Sequence, residues 1–155
     1  MTHNRITRHQ VLNDMIARAF ASAKMPVTKE PSGMFRSDGK RPDGLTLIPW
    51  QRGLFFTWDV TVATTLTDSY ISVSAYSAGA AAEMAASRKQ AKYAALSGSY
   101  VFQKIALETL GPINESAEQF LNDLGHRSLL SLPMTRTSYR SAETQRYLAA
   151  RVIWE

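Results

Sequence analysis

From Val11 onward the apolar residues Leu12, Met15, Ile16, Ala19, Phe20 and Ala23 recur in steps of three and four. That spacing predicts an amphipathic helix of about four turns, ending before Pro26. Arg8, Asn13, Asp14 and Arg18 fall on its polar side. The stretch Thr28 to Lys40 has no such period; Pro31, Gly33, Gly39 and several charges predict a loop with a short strand around Met34 to Arg36. Leu45 to Ile48 and Leu54 to Val62 then carry the side chains of two strands, and Pro49 to Gly53 between them predicts a hairpin turn. On the longer strand a period of two puts Thr57, Asp59 and Thr61 on one face and Phe56, Trp58, Val60 and Val62 on the other.

A Ser/Thr-rich connection, Thr64 to Ser77, leads into an alanine-rich segment from Ala78 to about Leu96 with strong helix propensity. Ala78, Ala81, Ala82, Ala85, Lys89, Lys92 and Leu96 share one of its faces, so two lysines interrupt a stripe of small residues that should meet the sheet. Tyr100 to Thr109 predicts a further strand, closed by Gly111-Pro112. Asn114 or Ser116 can cap a helix through Phe120 to Leu124, with Gly125 as its C-terminal stop. A last helix is expected over Ser141 to Ile153, in a tail rich in Ser, Thr and Arg. The order of elements predicts an α/β fold with a central mixed β-sheet flanked by helices.

Composition narrows the chemistry. At 155 residues the chain suits one domain with its own core. No apolar run approaches the roughly 20 residues of a membrane span, and the polar, basic N-terminus does not look like a secretory signal, so an intracellular address is expected. There is no cysteine, which excludes disulfides, thiol nucleophiles and thiolate zinc sites. Any metal must be held by oxygen or by one of three histidines, a donor set that favours Mg²⁺ or Mn²⁺. The net charge of +5 suits a polyanionic partner such as DNA.

Against this background Asp59 stands out. It lies in the run Phe55-Phe56-Thr57-Trp58-Asp59-Val60-Thr61-Val62, where β-propensity disfavours an aspartate. A buried carboxylate costs several kcal/mol unless it is paired, hydrogen-bonded or metal-bound. A second aspartate, Asp43, follows Pro42, and the two can share one divalent ion that polarises a phosphate and activates a water. A lysine near them can neutralise charge that builds on the phosphorus. Each residue also has a plainer reading: Asp43 in a Pro-Asp-Gly turn, Asp59 facing solvent on an edge strand, the lysines as exposed helix residues.

Several short segments, taken in order, resemble a known family. Arg8-His9, Leu12-Asn13-Asp14, Arg41-Pro42-Asp43-Gly44, Trp58-Asp59-Val60-Thr61-Val62, Lys89-Gln90-Ala91-Lys92-Tyr93 and Glu108-Thr109-Leu110-Gly111 resemble the restriction-like endonuclease domain near the C-terminus of some non-LTR retrotransposon polyproteins, a branch of the PD-(D/E)XK nuclease superfamily. The resemblance spans about Arg5 to Arg127. It implies a restriction-endonuclease-like core over 1–127, with 128–155 as a basic, helical extension of the same domain. It also implies a Mg²⁺- or Mn²⁺-dependent cut in DNA, in those elements a nick that supplies a primer end, and a nuclear location if the chain is of eukaryotic retrotransposon origin.

Carried over, Asp43 and Asp59 are the metal ligands and Lys92, then Lys89, the basic residues on the following helix. Thr61 stands where the superfamily usually has a lysine two residues after its second acid, so the lysine is expected from the helix. Asp14, His9 and Glu108 are candidates for a third acid or a supporting group. Arg8, Arg36, Lys40, Arg41 and Arg52 are the candidates for contact with the DNA backbone. Partners in this reading are DNA, a second copy of the chain, and a larger polyprotein containing reverse transcriptase. Two alternatives stay open: a DNA-binding or assembly module that keeps the fold without cleaving, and a dimeric resolvase of branched (Holliday junction) DNA.

Overall fold

The computed structural model describes residues 2–34, 41–64, 77, 79–92, 98–108 and 111–131. The helix expected over Ser141 to Ile153, and all of the strand expected around Met34 to Arg36 except Met34, lie outside these residues; Met34 is in no strand.

Helix α1 runs from Thr2 to Ser22. It therefore starts well before the apolar period does. Ile6 and Val11 are exposed and Arg8 and His9 only half-buried, so this part of the helix had no apolar core face to write into the sequence. Its end is a Schellman motif: Lys24 takes a left-handed φ of 59°, its N–H donates to the Ala21 carbonyl at 3.0 Å, and the Met25 N–H donates to the Phe20 carbonyl at 2.9 Å. Pro26 then directs the chain into the sheet.

Four strands form one sheet in the order β1-β2-β3-β4, with β1 (Val27–Lys29), β2 (Gly44–Thr46), β3 (Phe55–Ala63) and β4 (Tyr100–Glu108). The first three are antiparallel neighbours and β3 pairs with β4 in parallel. β1 overlaps the start of the loop expected over Thr28 to Lys40; three residues, one of them a lysine, carry too little pattern to register as a strand. The turn from β2 to β3 closes on Arg52 and Gly53, both left-handed at φ 51° and 75°, with the Leu54 N–H bonded to the Gln51 carbonyl at 2.9 Å. That is the backbone of a type I′ turn.

The parallel pair is joined through helix α2 (Ala80–Lys92), and helix α3 (Glu115–Leu130) follows β4. Asn114 holds the N-cap position of α3, but its side chain serves the sheet: Oδ1 accepts the Ala106 N–H at 2.8 Å. Gly125 does not end α3, which continues to Leu130 with Ser131 as its C-cap. A glycine at mid-helix is tolerated because Phe120, Leu124 and Ser128 bury the helix face on either side of it.

The helices lie on opposite faces of the sheet. α1 and α3 cover one face, where Phe20 meets Trp50, Phe56, Trp58 and Phe120 with ring centroids 5.0 to 5.7 Å apart. α2 covers the other through a seam of Ala81, Ala82, Ala85 and Ala86 against Ala63 and Ala106. β3 is thus covered on both sides, and its polar face is as dry as its aromatic one: Thr57 and Asp59 are buried with Phe56 and Trp58.

Gly44 is required by close approach. It pairs with Trp58, and a Cβ added to it would fall inside the indole ring. Gly44→Ala should therefore cost about 2 kcal/mol or more through overpacking, read as a lowered urea midpoint with unchanged slope.

Candidate functional site

Asp43 is held by backbone from three directions. Its N–H donates to the Trp58 carbonyl at 2.9 Å, which continues the β2–β3 ladder one residue past β2. Its carbonyl accepts the Glu30 N–H at 2.9 Å and the Asn13 side-chain amide at 3.3 Å. Its carboxylate Oδ2 accepts the Val60 N–H at 2.6 Å. Pro42 beside it is fully buried. Asp43 is therefore not the first residue of a free turn.

α1 reaches the same carboxylate. His9 Nε2 lies 3.1 Å from Asp43 Oδ2, within hydrogen-bond reach. One turn on, Asn13 Oδ1 accepts the indole N–H of Trp58 at 2.8 Å while its amide donates to Asp43. The aromatic core thereby fixes the backbone that carries the acid. His9, placed beside the metal ligands by the resemblance, does adjoin Asp43.

Asp59 lies one peptide bond away, since the N–H that Asp43 receives belongs to Val60. Its own carboxylate turns to the α2 face and meets a cation: Asp59 and Lys104 are direct partners in the parallel register of β3 and β4. The Lys104 ammonium bonds Asp59 Oδ2, the Asp59 carbonyl at 3.0 Å and Thr61 Oγ1 at 2.8 Å. Asp59 is 6% exposed and Lys104 2%. The solvent-facing reading of Asp59 is therefore wrong. One peptide unit, Asp59–Val60, faces Asp43 with its N–H and Lys104 with its carbonyl.

Lys104 is the site residue that sequence reasoning missed. Its signal was like that of Asp59: a charged residue next to a run of apolar side chains in a strand, here Ile105, Ala106 and Leu107. What the sequence did not show is that the two strands are neighbours.

Glu108 lies farther along the same face of β4, opposite Ala63. Its Oε1 accepts the N–H groups of Ala81 and Ala82 at 2.9 and 3.2 Å, so it caps the first turn of α2, where a carboxylate also complements the helix dipole. Asp14 is spoken for by Lys29 at 2.5 Å, an exposed pair that ties α1 to β1. The hydrogen bond from the Lys29 ammonium, and then its charge, hold the Asp14 carboxyl below the usual carboxylate range. Neither residue joins Asp43.

Lys89 and Lys92 lie in the last turns of α2, and their side chains lie outside the described residues, as do Arg36 and Lys40. The backbone still fixes a level for Lys89. α2 runs antiparallel to β3 and β4 from the Glu108 end of the sheet; eight residues of helix rise roughly 12 Å, and four residues of strand back from Glu108 cover roughly 13 Å. Lys89 is therefore level with Lys104. Arg41 is paired with Glu30 at 2.6 Å on the surface, and Arg8 is half-buried next to His9. Arg52 does not crowd the acids: its turn is at the opposite end of the β2–β3 pair, where Arg127 also stacks on Trp50 at 3.9 Å.

Among the described residues no three His, Asp or Glu side chains converge as a metal-binding group, and no helix is long and apolar enough to cross a membrane. No family model, curated protein or solved structure matches the chain.

Removing one partner of the buried pair should be costly. Asp59→Ala leaves the Lys104 ammonium in a dry site and should destabilise the protein by about 3 to 5 kcal/mol in urea unfolding, whereas Asp59→Leu with Lys104→Met should recover most of that loss. For the exposed pair, Lys29→Met should raise the Asp14 pKa toward the ordinary carboxylate value, read by NMR titration. Because that pKa is lowered in the folded protein, the pair's contribution is present at neutral pH and fades as acid protonates Asp14.

Proposed function

We propose that the protein is a metal-dependent endonuclease with a restriction-endonuclease-like core, hydrolysing phosphodiester bonds in DNA with Asp43 and Asp59 as its ligands. One observation carries the reading: the carboxylate of Asp43, one residue before β2, accepts the N–H of the Asp59–Val60 peptide unit, so the two acids flank a single peptide unit of β3. Burial cost argues against placing two acids there for stability alone.

The donor set fits a hard divalent cation. Both Asp43 bonds to the surrounding protein fall on Oδ2, which leaves Oδ1 as the oxygen to offer. Mg²⁺ commonly takes one or two protein carboxylates and fills its octahedron with water and substrate phosphate oxygens. Such an ion, bound there, supplies Lewis acidity to the phosphate and a lowered pKa to water.

The chain's own residues do the rest. Asp43 is positioned by backbone, and His9 holds its carboxylate from the α1 side. Hydrolysis adds a water oxygen to phosphorus and breaks the P–O3′ bond; the water's proton passes to solvent and the departing 3′ oxygen takes one from solvent, leaving a 5′-phosphate and a 3′-hydroxyl. The 3′-hydroxyl is the end a polymerase could extend. The net charge of +5 favours approach to the polyanion.

The reading is tested by incubating the protein with supercoiled plasmid in Mg²⁺, in Mn²⁺ and in EDTA, beside Asp43→Asn and Asp59→Asn, which keep shape and an acceptor. The expected outcome is metal-dependent nicking reduced at least ~100-fold in either variant. DNA binding without any cut, equal in all three proteins, would move the chain to the non-cleaving class. A four-way junction added as substrate separates the resolvase.

A further inference from the structure

We infer that Lys104 is the positioning residue of this site, bringing in from the neighbouring strand the ammonium that the resemblance expects two residues after Asp59, where the chain has Thr61. The inference rests on the nuclease reading of Asp43 and Asp59 but makes a claim of its own: a cation that orients Asp59 comes from β4, at Lys104.

The geometry points to this in three steps. Thr61 and Asp59 share a face of β3, and the Lys104 ammonium touches both, at Thr61 Oγ1 and at the Asp59 carboxylate. A lysine at 61 would start on that face and need to turn back to the carboxylate; Lys104 starts directly opposite Asp59 in the parallel register and arrives at the same place. A threonine at 61 turns the vacated position into an acceptor for the incoming cation.

The third step fixes the kind of role. An ammonium only donates, and Lys104 donates to the Asp59 carbonyl, Asp59 Oδ2 and Thr61 Oγ1. It acts on the reaction through Asp59, by holding the carboxylate in one rotamer and setting the charge beside it. The carbonyl bond extends its hold to the Asp59–Val60 peptide unit, whose N–H supports Asp43. One cation therefore orients one acid directly and the backbone donor of the other.

A buried lysine kept only for stability would behave differently, and the test exploits the difference. Taking a positive charge from beside a metal ligand should strengthen the attraction of that ligand for a divalent cation, while the loss of orientation should slow cleavage. Lys104→Met is compared with the wild type for Mn²⁺ binding by calorimetry and for plasmid nicking. The expected result is Mn²⁺ bound up to about tenfold more tightly together with nicking at least ~100-fold slower.

A second variant guards against misfolding of the first. Thr61→Lys combined with Lys104→Thr returns the lysine to β3 and should restore nicking to within about tenfold of the wild type, with Mn²⁺ affinity restored as well. If that variant folds but neither quantity recovers, or if Lys104→Met matches the wild type in both, the inference is overturned. Should the wild type fail to nick with any metal, the nuclease reading fails, and the Mn²⁺ measurement alone decides about Lys104: tighter binding in Lys104→Met supports it, and unchanged binding or none overturns it.

Discussion

An aspartate and a lysine buried side by side in the middle of a sheet constrain nearly everything around them. Asp59 can remain ionised at its depth only beside a cation, and the cation lies 45 residues away in the chain. β3 and β4 must therefore be neighbours, parallel, and in one register. A slip of one residue would turn Lys104 to the opposite face, into the aromatic cluster around Phe20 and Trp58. The same register sets Ala63 opposite Glu108, whose carboxylate receives the first N–H groups of α2. From that anchored end the alanine seam lays the helix back along the sheet. A single ion pair thus selects the pairing, and the pairing seats the helix that covers the pair.

The two faces of β3 divide the work. Phe56, Trp58 and Val60 supply apolar burial against α1 and α3, which is where the large favourable term of folding resides. Thr57, Asp59 and Thr61 contribute little of that kind; Thr57 Oγ1 donates to the Gly44 carbonyl at 2.8 Å, and the others meet Lys104. The faces are nevertheless linked. Trp58 bonds Asn13, and Asn13 bonds the carbonyl of Asp43, so the packing of an indole on one side of the sheet sets an acid at its margin. Gly44 belongs to the same link, since only a residue without Cβ admits the indole there.

How much of this the sequence disclosed followed from how local each feature is. The helix face from Leu12 to Phe20, the strand around Trp58 and Asp59, the alanine seam of α2 and the strand through Ile105 all repeat with a period that burial imposes, and all are found. β1 is too short to have a period, and Ile6 and Val11 in the first half of α1 face solvent and so obey none. Gly125 misled because glycine's preference for helix ends is weak against the burial of Phe120, Leu124 and Ser128. In the candidate site, Asp59 was legible because it violates its local context, whereas Asp43 sits in an ordinary Pro-Asp-Gly sequence and was singled out only beside Asp59 and by the resemblance. Lys104 violates its context equally, but its meaning depends on which strand lies beside it, and no pattern within nine residues of β4 encodes a neighbour. Arg52, close to Asp43 in sequence, is carried to the far end of the β2–β3 pair by the hairpin.

The two acids are secured in unlike ways, and the difference bears on where such a site can vary. Asp43 takes its position from backbone groups: the Trp58 carbonyl, the Glu30 N–H and the Val60 N–H. No substitution removes these without breaking the sheet. Asp59 is held by a side chain, the Lys104 ammonium, and a side chain can be supplied from any position whose Cβ lies on the right face within reach. In a parallel pair the residue directly across meets that condition as well as the residue two further on in the same strand. The first acid is thus fixed by the fold itself, whereas the cation beside the second is a choice among equivalent positions on one face, and this chain makes that choice on β4.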